Sequence, residues 1–234
     1  MTSTAHDMNV LILCGGLGTR LRPVLGNHPK SMADIRGRPL LHVLIKQTQK
    51  WGFKRFILCI GFQGHIIRQY FEEAQAFSGL TLLFSEEAEP LGTGGAIKNA
   101  EELITSDPFL VMNGDTLSEL NIKEFINFHE QFEANLTIAL TAKGDDSQYG
   151  NVRLDRSGRI LSFREKKRSS SGYTSMGIYI FNKVILDCIP QGRPYSLEHD
   201  LFPNSLNMRC FGYTSNAVFK DIGTPERYRN IQKS

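Results

Sequence analysis

The chain reads as an α/β domain built around a mixed central sheet, and three observations predict it. Apolar runs such as VLIL after Asn9 and FILCI after Arg55 are continuous rather than alternating, as in strands buried on both faces. Segments with apolar residues at helical spacing separate these runs as far as LTIAL at 136–140. Beyond Ala142 the pattern changes to short strands between polar turns, which predicts antiparallel additions to a parallel sheet.

The first run, NVLILC, ends in GGLGTR. Leu41, Leu44, Ile45, Thr48 and Trp51 then mark a helix that stops at Gly52, a natural C-terminal cap. A second strand (FKRFILCIGF), a second helix (HIIRQYFEEA), a third strand (LTLLFSEE) and a third helix (GGAIKNAEELI) complete the alternation. DPFLVMNGD is a strand that exits into Asn113, Gly114 and Asp115, and the helix NIKEFINFHEQF leads back to LTIAL. The later strands are GNVRLD, ILSFREK, SMGIYIF and AVFKDIG. EKKRSSSGY reads as a mobile loop rather than a domain boundary, and GTPERYRNI as a last helix with Thr224 as cap and Pro225 in its first turn.

With 234 residues, 41% hydrophobic, the chain fits one large domain, taken as 1–234. Lysine and arginine number 27 against 24 acids, a net charge of +3, which does not announce a nucleic-acid surface. Cys14, Cys59, Cys188 and Cys210 show no CxxC or zinc spacing and read as free thiols in a reducing cytoplasm. No run approaches the roughly 18 apolar residues of a membrane span, and the opening MTSTAHDMN lacks a signal-like pattern. A cytoplasmic protein with no membrane or nucleic-acid partner is expected.

Chemistry concentrates at the strand ends. Gly15, Gly16 and Gly18 leave a buried strand just before Thr19, Arg20 and Arg22, which suits a loop whose amides and guanidinium groups hold phosphate. Neither a Walker loop nor a dinucleotide fingerprint fits, because no Gly-Lys-Ser/Thr follows and Leu21 stands where the third glycine belongs. Asp115 and Asp221 each end an apolar strand and are placed to hold Mg²⁺, although either alone is equally a turn former or cap. Lys30, Glu165 with Lys166, and Glu198 with Asp200 are charges that singly suit a solvated face.

Read in order, LCGGLGTRLRP, HPKSM, EPLGTGGAI, VMNGD, YGNV, FREK, MGIYIF, SLEHDLFP and FKDIGTPERY resemble the sugar-1-phosphate nucleotidyltransferases across nearly the whole chain. PLGTGGAIKNA and DIGTPERY are most similar to the branch that transfers guanylyl groups to manno-heptose 1-phosphates, with the mannose-1-phosphate branch next. The resemblance implies a Rossmann-like, three-layer, glycosyltransferase-A-like fold. It implies a reaction in which a sugar 1-phosphate attacks the α-phosphorus of a nucleoside triphosphate, GTP favoured, and expels pyrophosphate.

By that match Arg20, Lys30 and Asp115 are catalytic. Leu13, Gly15, Gly16, Gly18, Thr19, Arg20, Glu86, Gly92 and Thr93 would bind the nucleotide. Asn113, Tyr149, Gly150, Glu165, Lys166 and Gly177 would bind the sugar phosphate, and Asp115 with Asp221 would hold Mg²⁺. Guanine's neighbouring N1–H and N2–H₂ donors suit Glu86 or Glu87 as acceptor. The chain departs from the pattern where Ser31 replaces a second proline and Lys167 follows the Glu-Lys pair. It ends without the β-helical domain of some relatives, and a homodimer is compatible with that reading. The alternatives are a mannose-1-phosphate or pyrimidine-specific transferase, or a silent sugar-nucleotide-binding regulatory subunit. Keeping Arg20, Lys30, Asp115 and Asp221 argues against the silent form.

Overall fold

The computed structural model describes residues 7–142, 150–165 and 172–233. Tyr149, Lys166 and the loop expected over EKKRSSSGY fall wholly or largely outside them. The chain opens with β1 (Asn9–Leu13), a short helix α1 (Arg22–Leu25), and a small ribbon of β2 (Asp34–Ile35) and β3 (Arg38–Pro39). Then come α2 (Leu40–Lys50), β4 (Arg55–Ile60), α3 (Gly64–Glu73), β5 (Thr81–Glu86), α4 (Gly92–Asn99) and β6 (Phe109–Asn113). Strand β7 (Thr116–Ser118), α5 (Ile122–Gln131), β8 (Leu136–Thr141), β9 (Gly150–Leu154), β10 (Ile160–Glu165) and β11 (Tyr173–Phe181) follow. The remainder comprises α6 (Phe202–Asn204), β12 (Cys210–Ser215), β13 (Phe219–Asp221) and α7 (Pro225–Lys233).

Nine strands form one mixed sheet. Strands β5, β4, β1 and β6 run parallel, as continuous apolarity and intervening helices require. Strand β11 is antiparallel to β6, β8 and β9, and the β9–β10 hairpin extends from its first residues. Strand β12, absent from the sequence reading, lies parallel to β8 at the edge.

Two hydrophobic clusters flank the sheet and make three layers. Leu41, Leu44 and Ile45 of α2, Ile67 and Phe71 of α3, and Phe125 of α5 pack on one face. Ala96 and Ile97 of α4, with Ile185, Leu197 and Phe202, cover the other. Burying such side chains contributes roughly 1.5–3 kcal/mol each, so the layers hold the sheet and leave its carboxyl edge free for chemistry. The last helix starts as expected, with the Arg227 amide donating to Thr224 Oγ1 at 3.3 Å. Among the described residues no helix is long and apolar enough to cross a membrane, and all four cysteines are free thiols.

Candidate active site

The carboxyl ends of the parallel strands open onto one cavity of about 370 Å³, within the roughly 300–1,000 Å³ range of small-molecule sites. Register brings the walls together: Leu13 lies beside Cys59 on one side and Asn113 on the other. The loop from Gly15 to Leu21 lines the cavity, and Lys30, Gly92, Thr93, Asn113 and Asp115 are among the residues that share its wall. A Cβ on Gly15 would collide with Glu87 Oε1 and stand 3.0 Å from the Gly61 nitrogen, so the loop threads between β4 and Glu87 only without a side chain there.

The two acids meet through a two-stranded ribbon. Strands β7 and β13 pair with Asp221 opposite Thr116, and the Ile222 amide donates to the Asp115 carbonyl at 3.1 Å. Asp115 and Asp221 therefore line one small cavity of about 120 Å³ together with Arg20, Asn113 and Gly177. The Lys30 ammonium donates to Asp115 Oδ2. Arg227 donates to both oxygens of Asp221, at 3.1 and 3.0 Å, and the Gly223 amide adds a bond of 2.6 Å to Oδ1. Burial by itself would raise the Asp115 pKa, but the charge and hydrogen bond of Lys30, with hydrogen bonds from Thr116 and the backbone, together outweigh it and hold the carboxyl below its ordinary value. Asn113 Oδ1 is buried on this wall and has no hydrogen-bond partner among the described residues.

Two carboxylates on one cavity wall fit Mg²⁺, a hard cation that takes one or two protein carboxylates plus phosphate oxygens. Among the described residues no group of three or more His, Cys, Asp or Glu side chains forms a larger cage. Cys14 is no nucleophile here. Its thiol donates to the carbonyls of Cys59 and Ile12, and burial first, then Cys59 and Glu87, pushes its pKa well up.

Of the residues assigned to the nucleotide, all but Glu86 line the larger cavity. Glu86 lies outside it, paired with Arg68 at 3.0 Å, whereas Glu87 is in the wall and accepts from the Leu91 amide at 2.7 Å. Arg68 on α3 captures the first acid, while the chain turning off β5 carries the second back over the cavity. Burial raises the Glu87 pKa, and the Leu91 amide opposes this. Gly150 and Glu165 face each other in register at one end of the β9–β10 hairpin, where Asn151 pairs with Thr174 of β11. Gly177 lies three residues further along β11, against Asn113. The sequence reading had no signal for Arg227, which looks like any polar residue of a terminal helix until β13 brings Asp221 beside it.

Residues 9–234 match the family model described as nucleotidyl transferase. The chain belongs to that family. This nucleotidyltransferase is 38% identical over 227 residues, 97% of each chain, to the D-glycero-α-D-manno-heptose 1-phosphate guanylyltransferase of Aneurinibacillus thermoaerophilus. It is 33% identical over 95% of its length to the mannose-1-phosphate guanylyltransferase of Mycobacterium tuberculosis and covers 63% of that protein. HddC from Yersinia pseudotuberculosis, crystallised with GMP-PN, superposes with a TM-score of 0.84 at 36% identity, covering 97% of this chain and 98% of that one. The mixed α/β fold expected from the sequence is thus the fold of the family.

Proposed function

We propose that this nucleotidyltransferase moves a guanylyl group from GTP to a manno-heptose 1-phosphate, releasing pyrophosphate and forming a GDP-sugar in the cytoplasm. The observation that carries the proposal is the cavity itself: a glycine loop, Arg20, Lys30 and two carboxylates converge on space for a nucleotide. The guanine and heptose assignments draw on the heptose 1-phosphate guanylyltransferase that matches 97% of the chain.

In this reading the amides of Gly15 to Thr19 bind the triphosphate and Arg20 meets the charge that moves onto pyrophosphate. Lys30, released from Asp115, steadies the α-phosphate. Transfer of this kind asks the protein for in-line positioning and cationic stabilisation, not for a side-chain nucleophile. Asp115 and Asp221 would hold Mg²⁺, which when bound supplies charge stabilisation to phosphate oxygens. Asn113, which lines both cavities, and Gly177, which lines the smaller one, would orient the sugar phosphate, and the family resemblance assigns Tyr149, Gly150, Glu165 and Lys166 to the same ligand.

Glu87 supports guanine as the base. A carboxylate in the wall suits the N1–H and N2–H₂ donors of guanine, whereas adenine presents an acceptor at N1. The test is pyrophosphate release over GTP, ATP, CTP, UTP and dTTP, each with heptose and mannose 1-phosphates. GTP with a manno-heptose 1-phosphate is expected to give the highest kcat/KM. A pyrimidine nucleotide winning overturns the base, and mannose 1-phosphate winning overturns the sugar.

A further inference from the structure

Glu198 lies outside the cavity wall, yet it governs a residue that is in it. Thr93 lines the cavity at the first turn of α4. Its hydroxyl donates to Glu198 Oε2 at 3.0 Å and accepts from the Leu197 amide at 2.8 Å. Ser196 Oγ donates to the same Glu198 oxygen at 3.0 Å, and its own oxygen accepts from the Glu198 and His199 amides. The Ser196 amide in turn donates to Asp200 Oδ2 at 2.7 Å. Glu198, His199 and Asp200 belong to one turn of π-helix, Leu197–Leu201, which Ser196 caps and in which the Ser196 carbonyl receives both the Asp200 and Leu201 amides. The same segment grips α4 from the other side, because the Gly94 and Gly95 amides both donate to the Tyr195 carbonyl, at 2.8 and 3.0 Å.

The direction of the Thr93 bond follows from chemistry. A carboxylate has no proton to give, so both hydroxyls that meet Glu198 must donate to it. A threonine hydroxyl has one proton and two lone pairs. With the proton on Glu198 and one lone pair on Leu197, the Thr93 oxygen keeps a single lone pair to offer a ligand in the cavity that the residue lines.

We infer that Glu198 is a positioning residue which fixes Thr93 as an obligate acceptor, so that the bound nucleotide is read at this point by one of its donors. The class of ligand is a nucleotide with an N–H or O–H here: the exocyclic amine of guanine or a ribose hydroxyl. A nucleotide presenting an acceptor to Thr93 meets lone pair against lone pair and is rejected. The inference rests on the guanylyltransferase reading. That reading falls if GTP does not bind the wild-type chain, an outcome separate from those below.

The experiment is a double-mutant cycle on the full chain, with dissociation constants for GTP, ITP and 2′-deoxyGTP read by titration calorimetry. Glu198→Gln lets an amide N–H₂ face the hydroxyl and turn its proton toward the cavity. Thr93→Val removes the acceptor, and Thr93→Ser keeps it. Thr93→Val and Glu198→Gln are each expected to weaken GTP about 3- to 10-fold, the value of one neutral hydrogen bond. The double variant should lose no more than either single one, because Glu198 acts through Thr93. Thr93→Ser should stay within about 2-fold of wild type. The analogue lacking the donor in question, ITP for the base or 2′-deoxyGTP for the ribose, should not respond to Thr93→Val. Additive losses in the double variant, or equal weakening of all three nucleotides by Glu198→Gln, would reduce Glu198 to a structural support and overturn the inference. Unchanged GTP affinity in folded Thr93→Val would overturn it as well.

Discussion

Gly177→Ala tests how tightly the wall of the smaller cavity is built against Asn113. Gly177 sits at φ +70° within an irregularity of the β11–β8 pairing, and an added Cβ would meet Asn113 Nδ2 at 2.7 Å, Cγ at 3.0 Å and Cβ at 3.2 Å. Rotating the Asn113 amide relieves the first contact only. The Asn113 Cβ is tied to a backbone paired with Leu13, and the neighbouring Met112 is paired with Ile178, so two strands must shift. Placing alanine in the left-handed region costs about 1 kcal/mol and forcing a packed neighbour to move about 1–3 more, a total of about 2–4 kcal/mol. Gly192 provides the internal control. It has the same φ of +70° with nothing within 4 Å of an added Cβ, so Gly192→Ala should cost only the first quantity, about 1 kcal/mol. Urea unfolding of both variants isolates the contact as a difference of about 1–3 kcal/mol. In the kinetics, Gly177→Ala should raise KM for the sugar phosphate more than for GTP, because Asn113 moves. Equal midpoint shifts in the two variants at unchanged m would refute the packing argument.

Asp115→Asn and Asp221→Asn should each lower turnover with Mg²⁺ by ~10² or more, since metal charge stabilisation is worth several kcal/mol. Circular dichroism should show both folded, and near wild-type turnover by either variant would remove that acid from the metal site. Glu87 sets a pH dependence of stability. Its pKa is raised in the folded chain above its ordinary 4.5, so its contribution is intact below that value and lost as pH climbs through the folded pKa. Glu87→Gln should therefore gain stability over wild type as pH rises from 4.5 toward neutrality. A difference between the two that stays flat across this range in thermal or urea unfolding would contradict the half-buried placement of the acid.

The layered fold was legible because its signals are local. Continuous apolar strands, helical spacing in LLHVLIKQTQ and the glycine at each turn state their own conformation within a few residues. The order of nine short strings carried the family for the same reason: each is a local run of residues that can be read without the fold. Strand β12 was missed because CFGYTS is short and contains a glycine, and only its parallel pairing with β8 makes it a strand.

The juxtapositions belonged to the tertiary structure. The sequence suggested Asp115 and Asp221 as partner acids, but not that the β7–β13 ribbon is what joins them, or that Lys30 and Arg227 pair with the two acids. The choice between Glu86 and Glu87 was equally closed to sequence: where a strand ends, a single step of the chain decides whether a carboxylate meets Arg68 on α3 or the nucleotide loop. Glu198 shows the same limit at greater range, since its bond to Thr93 spans 105 positions. Periodicity determines which residues of an element turn inward, but which distant charge or hydroxyl waits there depends on how the elements pack.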